Sequence, residues 1–423
     1  MKTTELTPGI GQITVNTERL WDCLMTHGQI GHTSKGGLNR LALTELDKQG
    51  RDLFKTWCEE AGCTVSVDEI GNIFARRAGL NNDLPPIMTG SHIDTQPTGG
   101  KFDGCFGVMA GLEAIRTLND LKIQTLAPIE VVAWTNEEGS RFPPCMMGSG
   151  VFTGKFSLND ALTTKDDAGI SVEDALHAIG YNGNKSHIGH KAAAYYEAHI
   201  EQGPVLEDER KQVGVVIGAL GQKWFDIEIT GVEAHAGPTP MHLRKDASLA
   251  GAEIIQFINE LALKNTPHGR GTVGCFDVFP GSRNVIPGRV RMTADLRHLE
   301  SGVLETMVKD LHIKINALDQ KYGVQTVITP TADFPPIAFD STCVSNVREA
   351  ASALGYPNMD VVSGAGHDAI FMADVTSAGM IFVPCEGGIS HNELERAKAV
   401  DLGAGASVLL NVLLLSAGIA EHD

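Results

Sequence analysis

Two adjacent glutamates stand where a metal ligand and a general base could lie side by side. Glu137 and Glu138 lie in the stretch Thr135–Phe142, which directly follows the apolar run 129–134, a run typical of a buried strand. Neighbouring side chains at a strand end point in different directions, so one carboxylate could bind a metal ion while the other faces a water molecule. A solvated pair of acids on the surface is the alternative that these two residues alone leave open.

A histidine and an aspartate come earlier in the chain, in glycine-framed stretches. His92 follows the apolar stretch 86–90, and Asp94, two residues on, would share its face. We predict that the Asp94 carboxylate accepts the free ring N–H of His92 and fixes the tautomer of a metal ligand. Asp103 lies within Gly99–Gly104, where glycines permit a tight loop that could aim a carboxylate at a buried point. A structural histidine and an ordinary turn are the alternatives.

Two further histidines, His199 and His391, follow strand-like runs later in the chain. Together with the residues above they would offer the imidazole and carboxylate ligands that suit zinc, manganese or cobalt. If Asp103 bridges, such a set can hold two divalent ions, which can activate water and polarise a carbonyl. No short spacing within the set proves this, so the weight comes from several polar clusters at predicted strand ends.

The elements that must position these residues alternate between strands and helices. Strands are predicted at 63–67, 72–75, 86–90 and 129–134, and helices at 44–62 and 106–118. This alternation favours an α/β architecture with a largely parallel central sheet, whose strand ends would carry the ligands.

A second pattern begins near Gly221. The predicted elements are a strand at 224–229, a helix at 243–263, strands at 272–279 and 285–296, a helix at 303–322 and a strand at 324–328. This β-α-β-β-α-β order is the ferredoxin-like unit. Because the first pattern resumes afterwards, we predict a discontinuous metal-binding domain of residues 1–219 and 332–423, interrupted by a smaller domain of residues 220–331.

Charge and cysteine usage limit the partners and the compartment. The 34 basic and 52 acidic residues give a net charge of -18, which repels nucleic acid and anionic membrane surfaces. The eight scattered cysteines include no CxxC pair, and the N-terminus has no apolar run typical of a signal peptide. Leu402–Ala420 carries no charge, but its glycine, serine and asparagine residues favour a buried helix over a membrane span. We therefore expect a cytoplasmic protein.

The glycine-framed motifs resemble, in order and over nearly the whole chain, those of the hydantoinase/carbamoylase branch of the aminoacylase and metallocarboxypeptidase clan. The motifs are Gly90–Thr95, Gly99–Gly104, Thr135–Phe142, His199–Pro204, Ala234–Gly237 and Ser363–Ala369. The branch contains N-carbamoyl-L-amino acid hydrolases, β-ureidopropionases and allantoate amidohydrolases.

The resemblance implies a dinuclear metal site, with zinc as the first expectation and manganese or cobalt as alternatives. His92, Asp103 and His199 would hold one ion. Asp103 would bridge to a second ion held by Glu138 and His391. The family pattern also implies a cis peptide bond after the bridging aspartate, at Asp103–Gly104.

Catalytic roles follow from the same resemblance. Glu137 would be the general base that takes a proton from the attacking water and later delivers it to the leaving nitrogen. His235 would reach the developing oxyanion, either within its own chain or from the partner subunit of a homodimer. The inserted domain would then serve as a lid and as the dimer interface.

The substrate contacts implied by the resemblance are made by Gln202, Asn284, Arg297, Gly364, Gly366 and His367. Arg297 would clamp the substrate carboxylate with its planar fork, and Asn284 would help to hold it. Gln202 and His367 would line the carbamoyl pocket. The two glycines would let the backbone pass close to the substrate.

These expectations converge on an amidohydrolase that cleaves an N-carbamoyl-L-amino acid or N-carbamoyl-β-alanine to the amino acid, CO2 and ammonia. An allantoate amidohydrolase, or an aminopeptidase or aminoacylase of the wider clan, is the alternative. His199 argues against the peptidases, because many clan members have a carboxylate ligand at that place. A non-enzymatic metal-binding protein is the alternative class, and Glu137 argues against it because a structural site needs no uncoordinated carboxylate.

Overall fold

The computed structural model describes residues 12–420, so the N-terminal stretch without a signal-peptide pattern lies outside the described residues. The described chain forms two compact units. The first contains the residues up to Ile217, Phe339–Val361 and the chain from Ala365 onwards. The second contains Gly218–Ala338 and Val362–Gly364, a range that includes the segment 220–331.

The helices are α1 (Thr17–His27), α2 (Glu45–Glu60), α3 (Cys105–Asp120), α4 (Met147–Phe152), α5 (Leu158–Thr163), α6 (Val172–Ile179), α7 (Val205–Asp208), α8 (Ala247–Lys264), α9 (Ser301–Tyr322), α10 (Ser341–Ala353), α11 (Asp368–Met372) and α12 (Ala399–Ala417). The strands are β1 (Thr64–Val67), β2 (Ile73–Arg77), β3 (Ile87–His92), β4 (Ile129–Trp134), β5 (Ala194–Ile200), β6 (Val213–Ala219), β7 (Gly221–Thr230), β8 (Ala234–His235), β9 (Arg270–Thr272), β10 (Phe276–Phe279), β11 (Val285–Ile286), β12 (Arg289–His298), β13 (Gln325–Phe334), β14 (Ile337–Ala338), β15 (Asn358–Ser363) and β16 (Ala378–Val383).

The sheet of the first unit has a parallel centre. Its strand order is β1-β2-β4-β3-β5-β16-β6, and the four strands from β4 to β16 pair parallel with one another. The outer strands β1, β2 and β6 pair antiparallel. The predicted parallel sheet is therefore confirmed for the central strands, which are fully buried.

The C-terminal helix belongs to the core of this unit. By length and composition α12 could cross a membrane, and it is the one described helix of which this holds. Its residues are mostly buried, and it packs against α1, α3 and α10 as well as β16. The prediction of a buried terminal helix is confirmed.

The second unit has a four-stranded antiparallel sheet in the order β10-β12-β7-β13, with the short β9 added beside β12. Helices α8 and α9 cover one face, where residues such as Ile254, Leu296 and Leu311 form the core. The chain order β7-α8-β10-β12-α9-β13 is the predicted ferredoxin-like order.

Three predicted elements of the second unit differ from the structure. The strand predicted at 272–279 is divided into β9 and β10, with residues 273–275 between them. The strand predicted at 285–296 is divided into β11 and β12 at Pro287, which has no N–H for a ladder. The helix predicted from residue 243 begins at Ala247, because the Asp246 side chain caps it by accepting from the Ser248 N–H at 2.9 Å.

Candidate metal centre

The carboxyl ends of three parallel strands bring the predicted ligands together. Strand β3 ends at His92, β5 carries His199 beside its last residue, and the chain leaving β4 reaches Glu138. Among the described residues three groups of ligand atoms form there, each with its atoms within 4.8 Å of one another. One of them, Glu197, His199 and His367, was not predicted. The other two are His92, Asp103, His199 and Asp103, Glu138, His391. These are the two sets that the sequence resemblance implied, and Asp103 belongs to both.

The two oxygens of Asp103 face different groups. Its Oδ1 lies 3.2 Å from His199 Nε2 and 3.8 Å from His92 Nε2. Its Oδ2 lies 3.3 Å from His391 Nε2, and Glu138 Oε2 is 3.3 Å from the same nitrogen. Burial raises the pKa of Asp103, but hydrogen bonds with His199 and His391 outweigh it and hold the pKa well below its usual value. An ionised, two-sided carboxylate is suited to bridging two cations.

Main-chain carbonyls fix the tautomers of the two buried histidines. His92 Nδ1 lies 2.9 Å from the Asp94 carbonyl oxygen, and His199 Nδ1 lies 2.9 Å from that of Ile200. Because a carbonyl only accepts, each ring carries its proton on Nδ1. The Gly104 N–H donates to His199 Nε2 at 3.1 Å, which agrees with this tautomer. In its neutral form each ring thus presents an unprotonated Nε2, as a metal ligand must, and the donor set fits a divalent cation.

The Asp94 side chain holds the glutamate pair rather than His92. Its Oδ1 is 3.8 Å from His92 Nδ1, too far for a hydrogen bond, so the predicted carboxylate–imidazole contact is wrong. The Asp94 carbonyl is closer to the ring and takes that proton instead. The carboxylate accepts from the Glu137 and Glu138 N–H groups, each at 3.3 Å. One residue therefore orients both a ligand and the backbone of the proposed base.

The two glutamates have different surroundings. Glu138 accepts from Gln96 N at 3.1 Å and from Gln96 Nε2 at 2.7 Å, which holds it beside His391. Glu137 is buried, and its Oε2 lies 3.5 Å from His92 Nε2. Burial, with the carboxylates of Asp368 and Glu138, raises the pKa of Glu137 well above its ordinary value. A carboxyl group with a raised pKa holds a proton more readily than an ordinary glutamate, which suits a group that accepts and returns a proton.

Several site residues have unusual backbone angles. Asn136, Gln202 and His391 have φ values of 54°, 57° and 53°. Positive φ is uncommon outside glycine and is often found at functional sites. The Asn136 Nδ2 donates to the Phe142 carbonyl at 2.7 Å, which stabilises the turn that carries Glu137 out of β4.

The peptide after the bridging aspartate is trans. Among the described residues the cis peptide bonds precede Pro144, Pro267 and Pro280, so the expected cis Asp103–Gly104 bond is wrong. The turn is made instead by Gly104, whose φ is 64°. A Cβ on Gly104 would lie 2.3 Å from His92 Nε2, which leaves room for glycine alone.

A cavity of about 200 Å³ opens beside these ligands. It is lined by His92, Gln96, Asp103, Glu137, Glu138, Cys145, His199, Gln202, Ala365, Gly366, His367 and His391. The predicted substrate residues Gln202, Gly366 and His367 are thus brought to the ligands. Gln202 Nε2 donates to Asp103 Oδ2 at 3.0 Å, while its buried Oε1 has no hydrogen-bond partner among the described residues. Gln96 and Cys145 were missed, because no pattern in one sequence marks them.

The other predicted residues lie in the second unit. His235 is exposed on β8 and stands opposite Val285 of β11, so Asn284 lies beside it. Arg297 donates from Nη2 to Asp295 Oδ2 at 2.7 Å and from Nη1 to the Gly364 carbonyl at 2.6 Å. These contacts fix the direction of the guanidinium group.

Comparison with known proteins agrees with this fold. Residues 88–415 match Peptidase family M20/M25/M40, and the chain belongs to that family. Its members are generally metal-dependent, and the chain is a hydrolase of amide C–N bonds.

Similar proteins narrow the resemblance. The chain is 47% identical to an N-carbamoyl-L-amino-acid amidohydrolase of Rhizobium meliloti, over 96% of this chain and 98% of that protein. It is 35% identical to an allantoate amidohydrolase of Bacillus subtilis, over 91% of this chain and 94% of that protein. A crystal structure of a hydantoinase/carbamoylase family amidase from Burkholderia multivorans has 52% sequence identity to this chain and a TM-score of 0.94. The match covers 96% of this chain and 98% of that one. The predicted hydantoinase/carbamoylase resemblance is confirmed.

Proposed function

We propose that this chain removes the carbamoyl group from an N-carbamoyl amino acid and gives the free amino acid, CO2 and ammonia. The observation that carries the proposal is the sharing of Asp103 by two ligand groups beside the buried Glu137. The similarity to the Rhizobium meliloti amidohydrolase supports the choice of substrate class.

Two divalent ions would be held by the two ligand groups, with zinc as the first candidate and manganese or cobalt as alternatives. When bound, such a metal pair supplies Lewis acidity that polarises the carbamoyl carbonyl and lowers the pKa of water. The Nδ1–carbonyl hydrogen bonds of His92 and His199 support this role, because in the neutral rings they place the proton on Nδ1 and leave Nε2 for the metal.

Glu137 would accept the proton of the attacking water and deliver it to the leaving nitrogen. Its burial in the wall of the cavity that Glu138 also lines supports this role. Gln202 would orient the substrate, since its unpartnered Oε1 could accept from the carbamoyl amide. His367, whose ring centroid is 4.5 Å from that of His199, would form the adjoining wall.

Residues of the second unit would recognise the rest of the substrate. Arg297, fixed by Asp295 and Gly364, would hold the carboxylate, and Asn284 would assist it. His235 would stabilise the oxyanion. The close approach of Gly364 to Arg297 agrees with a role for that glycine in shaping this end of the substrate site.

We also propose a cytoplasmic homodimer formed through the second unit. Val232, Met241 and Leu243 are 52%, 69% and 64% exposed and lie near His235 in the sequence, an apolar surface that a second copy could cover. All eight cysteines are unbridged, which suits a reducing compartment. Light scattering of the purified chain would test the dimer, and a monomer at micromolar concentration would contradict it.

A substrate panel tests the reaction. The chelated protein is supplied with zinc, manganese or cobalt and assayed on N-carbamoyl-L-amino acids, N-carbamoyl-β-alanine, allantoate and a dipeptide. We expect the highest kcat/KM on a carbamoyl amino acid. Turnover of allantoate alone would favour the second candidate, which the Bacillus subtilis relative suggests. Cleavage of the dipeptide alone would exclude the carbamoylase proposal.

A further inference from the structure

We propose that Glu395 is a positioning residue that holds the bridging carboxylate Asp103 and the loop of His391 in the geometry needed for metal binding. The inference rests on the metal centre of the proposed function and is independent of the substrate. Glu395 does not line the cavity itself; within the described part of the chain it reaches the cavity through the main chain of Asp103 and through Ser390.

The first contact is to the main chain of the bridging residue. Glu395 is 5% exposed, and its Oε1 accepts from the Phe102 N–H at 2.8 Å and from the Asp103 N–H at 3.2 Å. Two N–H groups directed at one buried carboxylate oxygen restrict the backbone at Asp103. That restriction also limits where the Asp103 side chain can point.

The second contact runs through Ser390, the residue before His391. Ser390 Oγ lies 3.1 Å from Glu395 Oε2 and 2.9 Å from Asp103 Oδ2. The hydroxyl has one proton, so it donates to one of these carboxylates while it stays in contact with both. Glu395 therefore joins the loop of the bridging ligand to the loop of a terminal ligand, which is 288 residues further along the chain.

The loop Gly99–Gly104 is shaped around this carboxyl group. A Cβ on Gly100 would lie 1.9 Å from Glu395 Cδ, so a side chain there would occupy the place of the carboxyl. Glu393, two residues earlier, provides a contrast, because its Oε2 lies 3.5 Å from Nζ of the exposed Lys35. It makes no hydrogen bond to Phe102 or Asp103 among the described residues and serves as a matched control.

The test measures metal affinity in the full-length chain. Chelated protein is titrated with Co²⁺ or Zn²⁺ against a chromophoric chelator, and the Co²⁺ absorption spectrum reports ligand geometry. We expect Glu395→Ala to weaken binding by about 10–100-fold, as for other residues that orient metal ligands. Glu395→Gln should bind nearly as wild type, because an amide oxygen still accepts both N–H groups. Glu393→Ala should also bind as wild type.

Circular dichroism of the chelated variants shows whether each is folded. If Glu395→Ala does not fold, the pair Glu395→Asp and Glu395→Gln decides, because Asp keeps the charge but withdraws the carboxyl by one methylene. The Glu395→Asp variant is then expected to bind metal weakly, and the Glu395→Gln variant to bind it well. Wild-type affinity in Glu395→Ala, or equal losses in the Gln and Asp variants, would overturn the proposal.

Failure of the proposed reaction is distinguishable from failure of this inference. If wild type binds Co²⁺ but hydrolyses no carbamoyl amino acid, the affinities of the Glu395 variants still decide the positioning role. If wild type binds neither Co²⁺ nor Zn²⁺, both the metal centre and the role of Glu395 are wrong.

Discussion

Glu137 and Glu138 differ by what surrounds them. Gln96 donates two hydrogen bonds to Glu138 and holds its carboxylate beside His391. Glu137 lies in the cavity wall beside His92. The Asp94 carboxylate fixes the backbone of both. In the proposed function the same strand end would therefore supply the Glu138 carboxylate to a metal group and leave the Glu137 carboxylate for proton transfer.

Substitutions at the two positions should separate metal binding from turnover. Glu138→Ala should lose metal, because one of three ligands of its group is removed. Glu137→Gln should keep its metal and lose about 10²–10⁴-fold in kcat, the usual contribution of a general base. Metal analysis and steady-state kinetics measure the two effects. A Glu137→Gln enzyme with unchanged metal content and unchanged turnover would contradict the assigned mechanism.

Arg297 should act on substrate affinity rather than on the chemical step. Arg297→Lys removes the planar fork, so KM should rise about tenfold or more while kcat changes less. Arg291→Lys is the matched control, because Arg291 lies on the same strand β12 and pairs with Glu228 at 2.9 Å. Equal effects of both substitutions on KM would exclude a carboxylate-binding role for Arg297.

At the scale of elements, the sequence predicts the strands better than the contacts between them. The apolar runs that end before His92 and Glu137 predict buried parallel strands, and these place both residues at one edge of the sheet. The motif around His199 marks that residue as a candidate ligand. The sequence of β5 alone is not distinctive enough to predict where in the strand His199 lies. The interruption at Pro287 could have been predicted, because proline lacks the ladder N–H.

Hydrogen bonds between distant segments could not be predicted from one sequence. The Asp94 carboxylate accepts from residues more than 40 positions away, and Glu395 accepts from Asp103 N, 292 positions away. Side-chain types allow many such pairings, and only the folded backbone selects among them. The wrong prediction for Asp94 has this cause. Its carboxylate accepts from the distant Glu137 and Glu138 N–H groups, and its carbonyl takes the place beside His92.

The helix pair of the second unit carries a pH-dependent contact. Glu253 of α8 accepts hydrogen bonds from Lys321, Tyr322 and Lys314 of α9. These bonds lower the pKa of Glu253 to about 2. Because the pKa in the folded state lies below the ordinary glutamate value of 4.5, the contact stabilises fully above that pH and is lost as the pH falls toward 2.

Replacing Glu253 should therefore lower the free energy of unfolding more at neutral pH than at acidic pH. Glu253→Gln should lower the free energy of unfolding at pH 7 by at most about 1 kcal/mol, since the site is partly solvated. The difference from wild type should shrink between pH 5 and pH 3. Urea unfolding across this range measures it, with Glu260→Gln, an exposed acid on the same helix, as control. A pH-independent difference would show that the ion pairs are not its cause.

At the scale of the whole molecule, the metal centre should contribute to stability. Its ligands come from β3, β5 and three separate loops, so bound ions would hold distant parts of the first unit together. An ion at 100 times its Kd adds about 2.7 kcal/mol to a folded state that alone binds it. Chelation should lower the Tm by a few degrees or more. His92→Ala should have a smaller metal-dependent shift, and an equal shift would argue against these ligands.

The proposed dimer leads to a test of which subunit supplies each residue. His235 and Asn284 lie side by side where β8 pairs with β11. If His235 serves the partner's metal centre, Asn284 must do so as well, whereas Arg297 would serve its own subunit. A one-to-one mixture of His235→Ala and Arg297→Ala chains then contains some sites with no substitution.

Random exchange of subunits should restore about a quarter of wild-type activity in that mixture, because half of the dimers are mixed and one of their two sites is intact. A mixture of His235→Ala and Asn284→Ala chains should stay inactive, because each site of a mixed dimer receives one defective partner residue. Activity is measured after subunit exchange, with each variant alone as control. Recovered activity in the second mixture would show that His235 and Asn284 act in the sites of different subunits. No recovered activity in either mixture would show that His235, Asn284 and Arg297 all serve a site of the same subunit.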